Sequence, residues 1–202
     1  MDETNRPRRV RADAERSTAR IMDAATTVLA ADPSASLERI ADAAGLARAT
    51  VHRRFSSRQA LLDALVAQLN ERYLKGLAEA RVQTAPPLVA LHRLTELIFE
   101  LKVGHRFAME LAADPEGREP LLEPEVVDGL DALFTRLHES GEIAAADPAW
   151  CRRLYLVLLH EVHQLPAAAP ELAAEAAEGV AARVDLLVRT LLGALGGTPA
   201  RR

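Results

Sequence analysis

The segment Leu37–Leu65, LERIADAAGLARATVHRRFSSRQALLDAL, decides the fold of this chain. Ser36, just before it, is a residue type that caps helices, so a short helix is expected to follow. Gly45 suits the end of that helix, because glycine adopts the left-handed backbone conformation there without steric cost. The apolar positions of the short helix recur at helical spacing and form one face: Leu37, Ile40, Ala41 and Ala44.

A second short helix is predicted at ATVHRRF, residues 49–55, one step after the glycine turn. Its side chains, with that of Arg48, are mostly cationic or able to form hydrogen bonds. Two helices this short cannot bury a core alone, so neighbouring helices must support them. A cationic helix supported from behind fits the major groove of DNA. The alternative is that these arginines form an ordinary solvated surface.

The helices on either side can give that support. The preceding helix is expected to end at Asp32, because the residue before a proline is pushed out of the α region. Ser56 or Ser57 is predicted to cap the following helix, and Gln59 would complete a capping box with Ser56. Both helices have an apolar face, formed by Ile21, Ala25, Val28 and Leu29 in the first and by Leu62, Leu65, Val66, Leu69 and Tyr73 in the second.

The rest of the chain also has helical periodicity and no strand signature. Helices are predicted at about 88–103, 123–140, 149–165 and 171–195, with a separate apolar segment, FAMELAA, after Gly104. The expected fold class is all-α with about nine helices, an N-terminal three-helix helix-turn-helix domain and a C-terminal helical domain. The expected boundaries are a disordered basic arm at 1–12, a helix-turn-helix domain at 13–60 with its motif at about 36–55, and a second domain at 61–202.

Charge is divided unevenly along the 202 residues, whose net charge is −4. Residues 1–60 contain eleven arginines and eight acidic residues, so their net charge is +3 and the remainder carries −7. A basic N-terminal part on an acidic body indicates a localised anion-binding surface. The single cysteine requires no oxidising compartment, and neither a signal peptide nor a membrane-spanning run is evident, so we expect a cytoplasmic protein.

The sequence offers no catalytic constellation, and we expect neither an enzyme nor a cofactor. His160 and His163 have a spacing that can bind a metal, but no cysteine or second histidine pair supports such a site. We therefore predict no metal site, and a capping or interface role is the expectation for this pair.

The first sixty or so residues resemble the DNA-binding domain of the TetR family of bacterial regulators, with matching positions from Ile21 to Leu62. The resemblance covers about sixty residues in one register. The chain departs from the family pattern at Ala47, where a capping serine is usual, at His52, where a phosphate-contacting tyrosine is usual, and at Arg54. The matching residues are Ile21, Met22, Ala24, Ala25, Ile40, Ala41, Ala44, Gly45, Leu46, Ala49, Thr50, Val51, Phe55, Ser57, Arg58, Leu61 and Leu62.

The resemblance implies roles on double-stranded DNA for the second short helix and its neighbours. His52 would lie against the DNA backbone, and Arg58 would contact a phosphate at the start of the next helix. The remaining residues of this helix would contact bases or nearby phosphates. The predicted DNA-binding set is Arg39, Arg48, Ala49, Thr50, His52, Arg53 and Arg58.

The resemblance also implies a homodimer and a pocket for a small-molecule effector, which an apolar body suggests is hydrophobic. The predicted pocket residues, which are alternatively plain core, are Leu94, Ile98, His105, Phe107, Met109, Leu133 and Phe134. The predicted dimer interface comprises Leu154, Leu158, Val184, Leu187, Val188, Leu191 and Leu192.

The expected function is therefore a homodimeric repressor that an effector releases from a palindromic operator. One alternative is a helical small-molecule-binding protein or enzyme that retained the fold but lost DNA binding. A second alternative is a helical scaffold that acts through partner proteins.

Overall fold

The computed structural model describes residues 6–112, 122–173 and 179–197, and all regular structure in those ranges is helical. This confirms the all-α fold class. The helices are α1 (Arg6–Ala31), α2 (Leu37–Ala44), α3 (Arg48–Arg54), α4 (Arg58–Glu79), α5 (Pro87–Ala112), α6 (Pro124–Glu139), α7 (Pro148–Gln164), α8 (Pro170–Ala173) and α9 (Gly179–Ala194).

The chain divides into two compact units, and the division falls within α4, after Leu69. The first unit, called the head below, contains the residues up to Leu69 and the C-terminal end of α5 from Gly104. The second unit contains the rest of α4 and α5 and everything from α6 onward. The sequence-based boundary at residue 60 differs because α4 continues through it without a break.

α1 begins at Arg6, which corrects the prediction of a disordered arm over residues 1–12. Pro7 does not prevent this, because the first turn of a helix needs no backbone N–H donor at that position. The arginines and alanines that follow are strong helix formers. Residues 1–5 lie outside the described part of the chain.

α1, α2 and α3 form the expected helix-turn-helix arrangement, in which α2 packs on α1 and α3 packs on α2. The Ser36 side chain accepts a hydrogen bond from the Arg39 backbone N–H, and Gly45 ends α2 at φ +62°, as the sequence predicts. The hydrophobic core of the head is almost fully buried and includes Ile21, Ala25, Leu29, Ile40, Ala41, Val51, Leu61 and Leu65.

α5 is a single helix through Gly104, so the prediction of a separate segment after that glycine is wrong. One glycine inside a helix costs only about 1 kcal/mol relative to alanine, which surrounding helical residues can offset. The side chains of His105, Phe107 and Met109, three predicted pocket residues, lie outside the described part of the structure.

The second unit is built around α6 and α7, and α9 packs on α7. The rings of Phe134 and Tyr155 meet edge to face, with centroids 5.8 Å apart. The Tyr155 Oη lies 3.1 Å from Thr95 Oγ1, so this buried hydroxyl has a hydrogen-bond partner. Arg152, which is 6% exposed, donates to Asp131 Oδ1 at 2.8 Å.

The predicted long last helix is not regular at Gly179. The described residues of this stretch form α8 and, from Gly179 onward, α9, and residues 174–178 lie outside the described part of the chain. Gly179 has φ +63°, in the left-handed region that a continuous right-handed helix does not use. The sequence pattern missed this irregularity because the apolar positions on both sides keep a helical period.

Two arginines of the second unit bind backbone carbonyls at the ends of other helices. Arg136 of α6 donates to the carbonyls of Val82 and Ala85 in the turn after α4. Arg183 of α9 donates to the Val162 and Leu165 carbonyls at the end of α7. Such bonds satisfy carbonyls that the helix itself leaves without donors.

No helix in the described ranges combines the length and the apolar character that crossing a membrane requires.

Candidate nucleic-acid interface

α3 is attached to the head by one face and presents the other to solvent. Val51 is fully buried and Phe55 is 7% exposed, so these two apolar side chains anchor the helix. Thr50 is half-buried. Arg54 is exposed. The remaining predicted DNA contacts on α3 are also exposed, and they are Arg48, Ala49, His52 and Arg53. The helix thus has the outward orientation that entry into a DNA groove requires.

The start of α3 has no side-chain cap. Ala47 occupies the N-cap position with extended backbone, and no side-chain oxygen accepts the free N–H groups of the first turn. The turn before it is fixed instead from α1, because Arg20 Nη2 donates to the carbonyls of Ala44 at 2.7 Å and Gly45 at 3.3 Å. The sequence analysis missed Arg20, since its partner lies 24 residues away.

Arg58 has partners inside the head that the sequence did not reveal. Its Nε donates to the Ala35 carbonyl at 3.2 Å, and its Nη2 donates to the Pro33 carbonyl. Two of its donors are therefore occupied within the protein. Arg58 joins the first residue of α4 to the turn between α1 and α2, and its contact with a phosphate stays a prediction.

Arg39 also has a partner inside the head, because its Nη1 pairs with the Asp32 carboxylate. The other Asp32 oxygen accepts from the Ser34 backbone N–H at 3.0 Å and from the Ser34 hydroxyl at 2.7 Å. These Ser34 bonds, with smaller contributions from Arg39 and Arg58, lower the pKa of Asp32. The Asp32 carboxylate thus organises the turn that leads into α2.

His52 lies against an acidic side chain that the sequence analysis did not identify. Its Nε2 is 3.5 Å from Glu38 Oε1 on α2, and both side chains are about half exposed. Hydrogen bonds from the Ser36 side chain and from the Glu38 backbone N–H lower the pKa of Glu38, and His52 lowers it further. The sequence does contain a signal for this contact, because Glu38 lies in the first turn of α2 and the unusual His52 lies on the next helix, α3.

Ser57, and not Ser56, caps α4: its Oγ accepts from the Ala60 backbone N–H at 3.1 Å. Gln59 donates to Asp63 at 2.8 Å, so the predicted capping box with Ser56 does not form.

A small apolar cavity of about 10 Å³ lies in the second unit, room for about one water molecule. Two predicted pocket residues, Leu94 and Ile98, line it. Leu133 and Phe134 are buried and do not line this cavity, so their place in an effector pocket stays a prediction. The remaining lining residues are Tyr73, Leu77, Leu122, Val126, Leu130 and Leu156.

Four of the predicted dimer-interface residues are already buried inside the single chain, because α9 packs against α7. They have no surface left for a partner: Val184, Leu187, Val188 and Leu191. The other three, Leu154, Leu158 and Leu192, remain partly exposed. The most exposed apolar side chains on α7 are instead Trp150, at 49%, and Val157, at 58%.

Comparison with known proteins agrees with this geometry. The family model for bacterial regulatory proteins of the tetR family matches residues 21–65. The HTH-type transcriptional repressor LfrR of Mycolicibacterium smegmatis is 34% identical over 149 residues, which cover 72% of this chain and 76% of the repressor.

Solved structures show the same fold. The structure of the TetR-like regulator LfrR from Mycobacterium smegmatis in complex with proflavine has a TM-score of 0.62 at 28% identity, covering 88% of this chain and 94% of that one. The TetR family regulator PfmR from Thermus thermophilus has a TM-score of 0.62 at 22% identity over 84% and 97%. With α3 exposed as described and a relative this similar over most of both sequences, the chain belongs to the TetR family and is a DNA-binding transcriptional regulator.

Proposed function

We propose that the protein is a homodimeric repressor that binds a palindromic operator through α3 and leaves it when an effector binds in the second unit. The observation that carries this proposal is the exposure of α3, whose Val51 is buried while its Arg48 and Arg53 are exposed. Arginine can form two hydrogen bonds to one guanine, so these two side chains are the strongest candidates for base recognition.

Selection of duplexes from a random pool tests the DNA-binding part. An enriched palindrome is the expected result, with half-sites about one helical turn apart. Arg53→Ala should reduce affinity for that duplex about tenfold to a hundredfold, since one good arginine–base contact contributes about 1–3 kcal/mol. Arg93→Ala, an exposed arginine of α5, serves as the matched control. A pool without any enriched sequence would exclude operator binding.

The proposed dimer surface is the exposed apolar side of α7. Trp150, Leu154, Val157 and Leu158 recur at helical spacing, and the only tryptophan of the chain is half exposed there. Apolar residues grouped on a surface in this way commonly mark an interface. A second copy would cover them and would bring a second α3 to the other half-site.

Sedimentation of two matched variants tests this surface. Val157→Glu places a charge in the proposed interface and should shift the protein from dimer to monomer at micromolar concentration. Val89→Glu makes the same change at an exposed position on α5, 41% exposed, and should leave the dimer intact. An unchanged dimer in Val157→Glu would place the interface elsewhere.

The proposed effector site is the cavity beside Tyr73, enlarged when a ligand separates its walls. Its lining is aliphatic apart from that tyrosine, which favours a hydrophobic effector. Because LfrR has been crystallised with proflavine, that planar dye is a suitable first probe.

Two glycine variants on facing helices test the cavity. A Cβ on Gly129 would lie 2.7 Å from Leu77 Cδ1 and would force this lining side chain to move. Gly129→Ala should therefore weaken proflavine binding, measured by fluorescence, by about tenfold. A Cβ on Gly76 would lie 3.7 Å from Leu94 Cδ1, an ordinary contact, so Gly76→Ala is the control. Equal affinities in both variants would exclude this cavity.

A further inference from the structure

The contact between His52 and Glu38 places an acidic side chain beside the DNA-facing helix. Nε2 of His52 and Oε1 of Glu38 are 3.5 Å apart. The His52 side chain is 48% exposed and that of Glu38 is 42% exposed. Both can therefore reach a partner outside the protein without any change in the core. Glu38 lies in the first turn of α2, next to the helix cap formed by Ser36.

We propose that Glu38 competes with DNA phosphate for His52 and so limits the affinity of the head for DNA. This inference rests on the proposed DNA contact of α3. In free protein, His52 pairs with the Glu38 carboxylate; in the complex, the same imidazole turns to a phosphate. Glu38 then loses its partner and lies close to the negative DNA backbone. A carboxylate at this position is a specificity-determining residue that disfavours weak, backbone-only binding.

Among the charged side chains near His52 on α2 and α3, Glu38 is the acidic one that contacts the imidazole. On α3, Arg48 lies four residues before His52, on the same side of the helix. Arg53 is adjacent in sequence. From α2, Glu38 makes the ionic contact with His52, whereas Arg39 pairs with Asp32.

Replacement of the Glu38 carboxylate tests this proposal, because removing the charge should strengthen DNA binding and not weaken it. Glu38→Gln keeps the size of the side chain and removes its charge, so it should bind duplex DNA about twofold to fivefold more tightly, the range expected for an exposed ion pair. Asp42→Asn removes the same charge from another exposed position of α2 and is the matched control. The probe is a mixed-sequence duplex of about 30 base pairs, long enough for two half-sites.

A merely structural role for Glu38 predicts the opposite result. An acidic residue in the first turn stabilises a helix, so loss of its charge would lower the melting temperature and weaken DNA binding. Weaker binding by Glu38→Gln overturns the proposal, as does an increase no larger than that of Asp42→Asn.

A double-mutant cycle shows whether Glu38 acts through His52. In the His52→Ala background, Glu38→Gln should give a smaller increase in affinity than it does in the wild type. An equal increase in both backgrounds would mean simple repulsion between Glu38 and DNA, and the proposed competition would be wrong.

Failure of the wild type to bind any duplex would instead overturn the proposed DNA-binding function, which separates the two outcomes.

Discussion

The head and the second unit differ in the sequence distance that their polar contacts span. In the head, Asp32 bonds to Ser34 two residues away and pairs with Arg39 seven residues away, and Ser36 caps a backbone N–H three residues on. The longer contacts that Arg20 and Arg58 make there span at most 25 residues. In the second unit, Thr95 meets Tyr155 across 60 residues, and the Asn70 side chain accepts from the Glu123 backbone N–H across 53.

This difference separates what a short motif can specify from what only the folded chain can bring together. The helix ends of the head carry their own signals within a few residues. The core of the second unit depends on side chains that become neighbours only after helices pack. The head should therefore respond to changes in backbone conformation and caps, and the second unit to changes in packing.

The largest effect is expected in the second unit. Phe134→Ala should lower the free energy of unfolding by about 3–5 kcal/mol, because the ring is 1% exposed and its loss leaves a cavity beside Tyr155. Urea unfolding measures the change. The neighbouring exposed Thr135→Ala is the control and should change stability by less than about 0.5 kcal/mol. Similar losses in the two variants would contradict the proposed packing.

A smaller effect is expected at two left-handed glycines, one in each unit. Gly45→Ala and Gly141→Ala both force a side chain into positive φ, at +62° and +76°, which costs about 1–2 kcal/mol. A Cβ on Gly45 would also lie 3.2 Å from Arg20 Nη2, whereas nothing lies within 4 Å at Gly141. Thermal unfolding should show the greater loss for Gly45→Ala. Equal losses would mean that the Arg20 side chain moves away from the new Cβ at no measurable cost in stability.

A gain of stability is expected at the start of α3. Ala47 has ψ 138°, the extended conformation that an N-cap residue adopts, so Ala47→Ser can place its hydroxyl on the free N–H groups of the first turn. The expected gain is about 0.5–1 kcal/mol, measured as slower hydrogen exchange in α3. Ala49→Ser, inside the same helix, should give no gain. If hydrogen exchange in α3 were no slower in Ala47→Ser, the expected capping effect would be contradicted, and contacts with neighbouring helices would already hold the first turn.

The smallest effect concerns acid stability of the head. The pKa of Asp32 is lowered in the folded protein, first by the Ser34 hydrogen bonds, so the unfolded chain takes up its proton at a higher pH. Its contribution is therefore present above the unfolded value of 3.8 and disappears as pH falls through the lower folded value. Asp32→Asn should flatten the loss of thermal stability between about pH 5 and 2. Asp23→Asn on α1 is the control, and identical acid profiles would contradict the role of Asp32.

Sequence reasoning succeeded where a structural signal is local. Ser36 and Gly45 mark the two ends of α2 by their own local chemistry, and the structure places the ends there. It failed at Gly104 and Gly179, because glycine inside a helical pattern is compatible with either continuation or a break.

The predicted sites show the same limit. Val184 and Leu187 lie on an apolar face that could have packed in the chain or against a partner, and only the fold shows that it packs internally. Arg58 has the residue type that binds phosphate, but its partners are carbonyls about 25 residues earlier in the chain. Residue type predicts what a side chain can bind, whereas the fold decides what it meets.

The internal partners of Arg39 and Arg58 have a consequence for binding thermodynamics. Each cation that meets a DNA phosphate releases condensed counterions, and the logarithm of the binding constant falls with the logarithm of salt concentration in proportion to the number of such contacts. The Arg39 guanidinium is already paired with the Asp32 carboxylate and adds little to that number, and Arg58 has fewer donors left for a phosphate because it binds the Pro33 carbonyl. The ionic-strength dependence of DNA binding should therefore be shallower than the number of arginines in the head suggests, leaving a larger share of the affinity to base contacts.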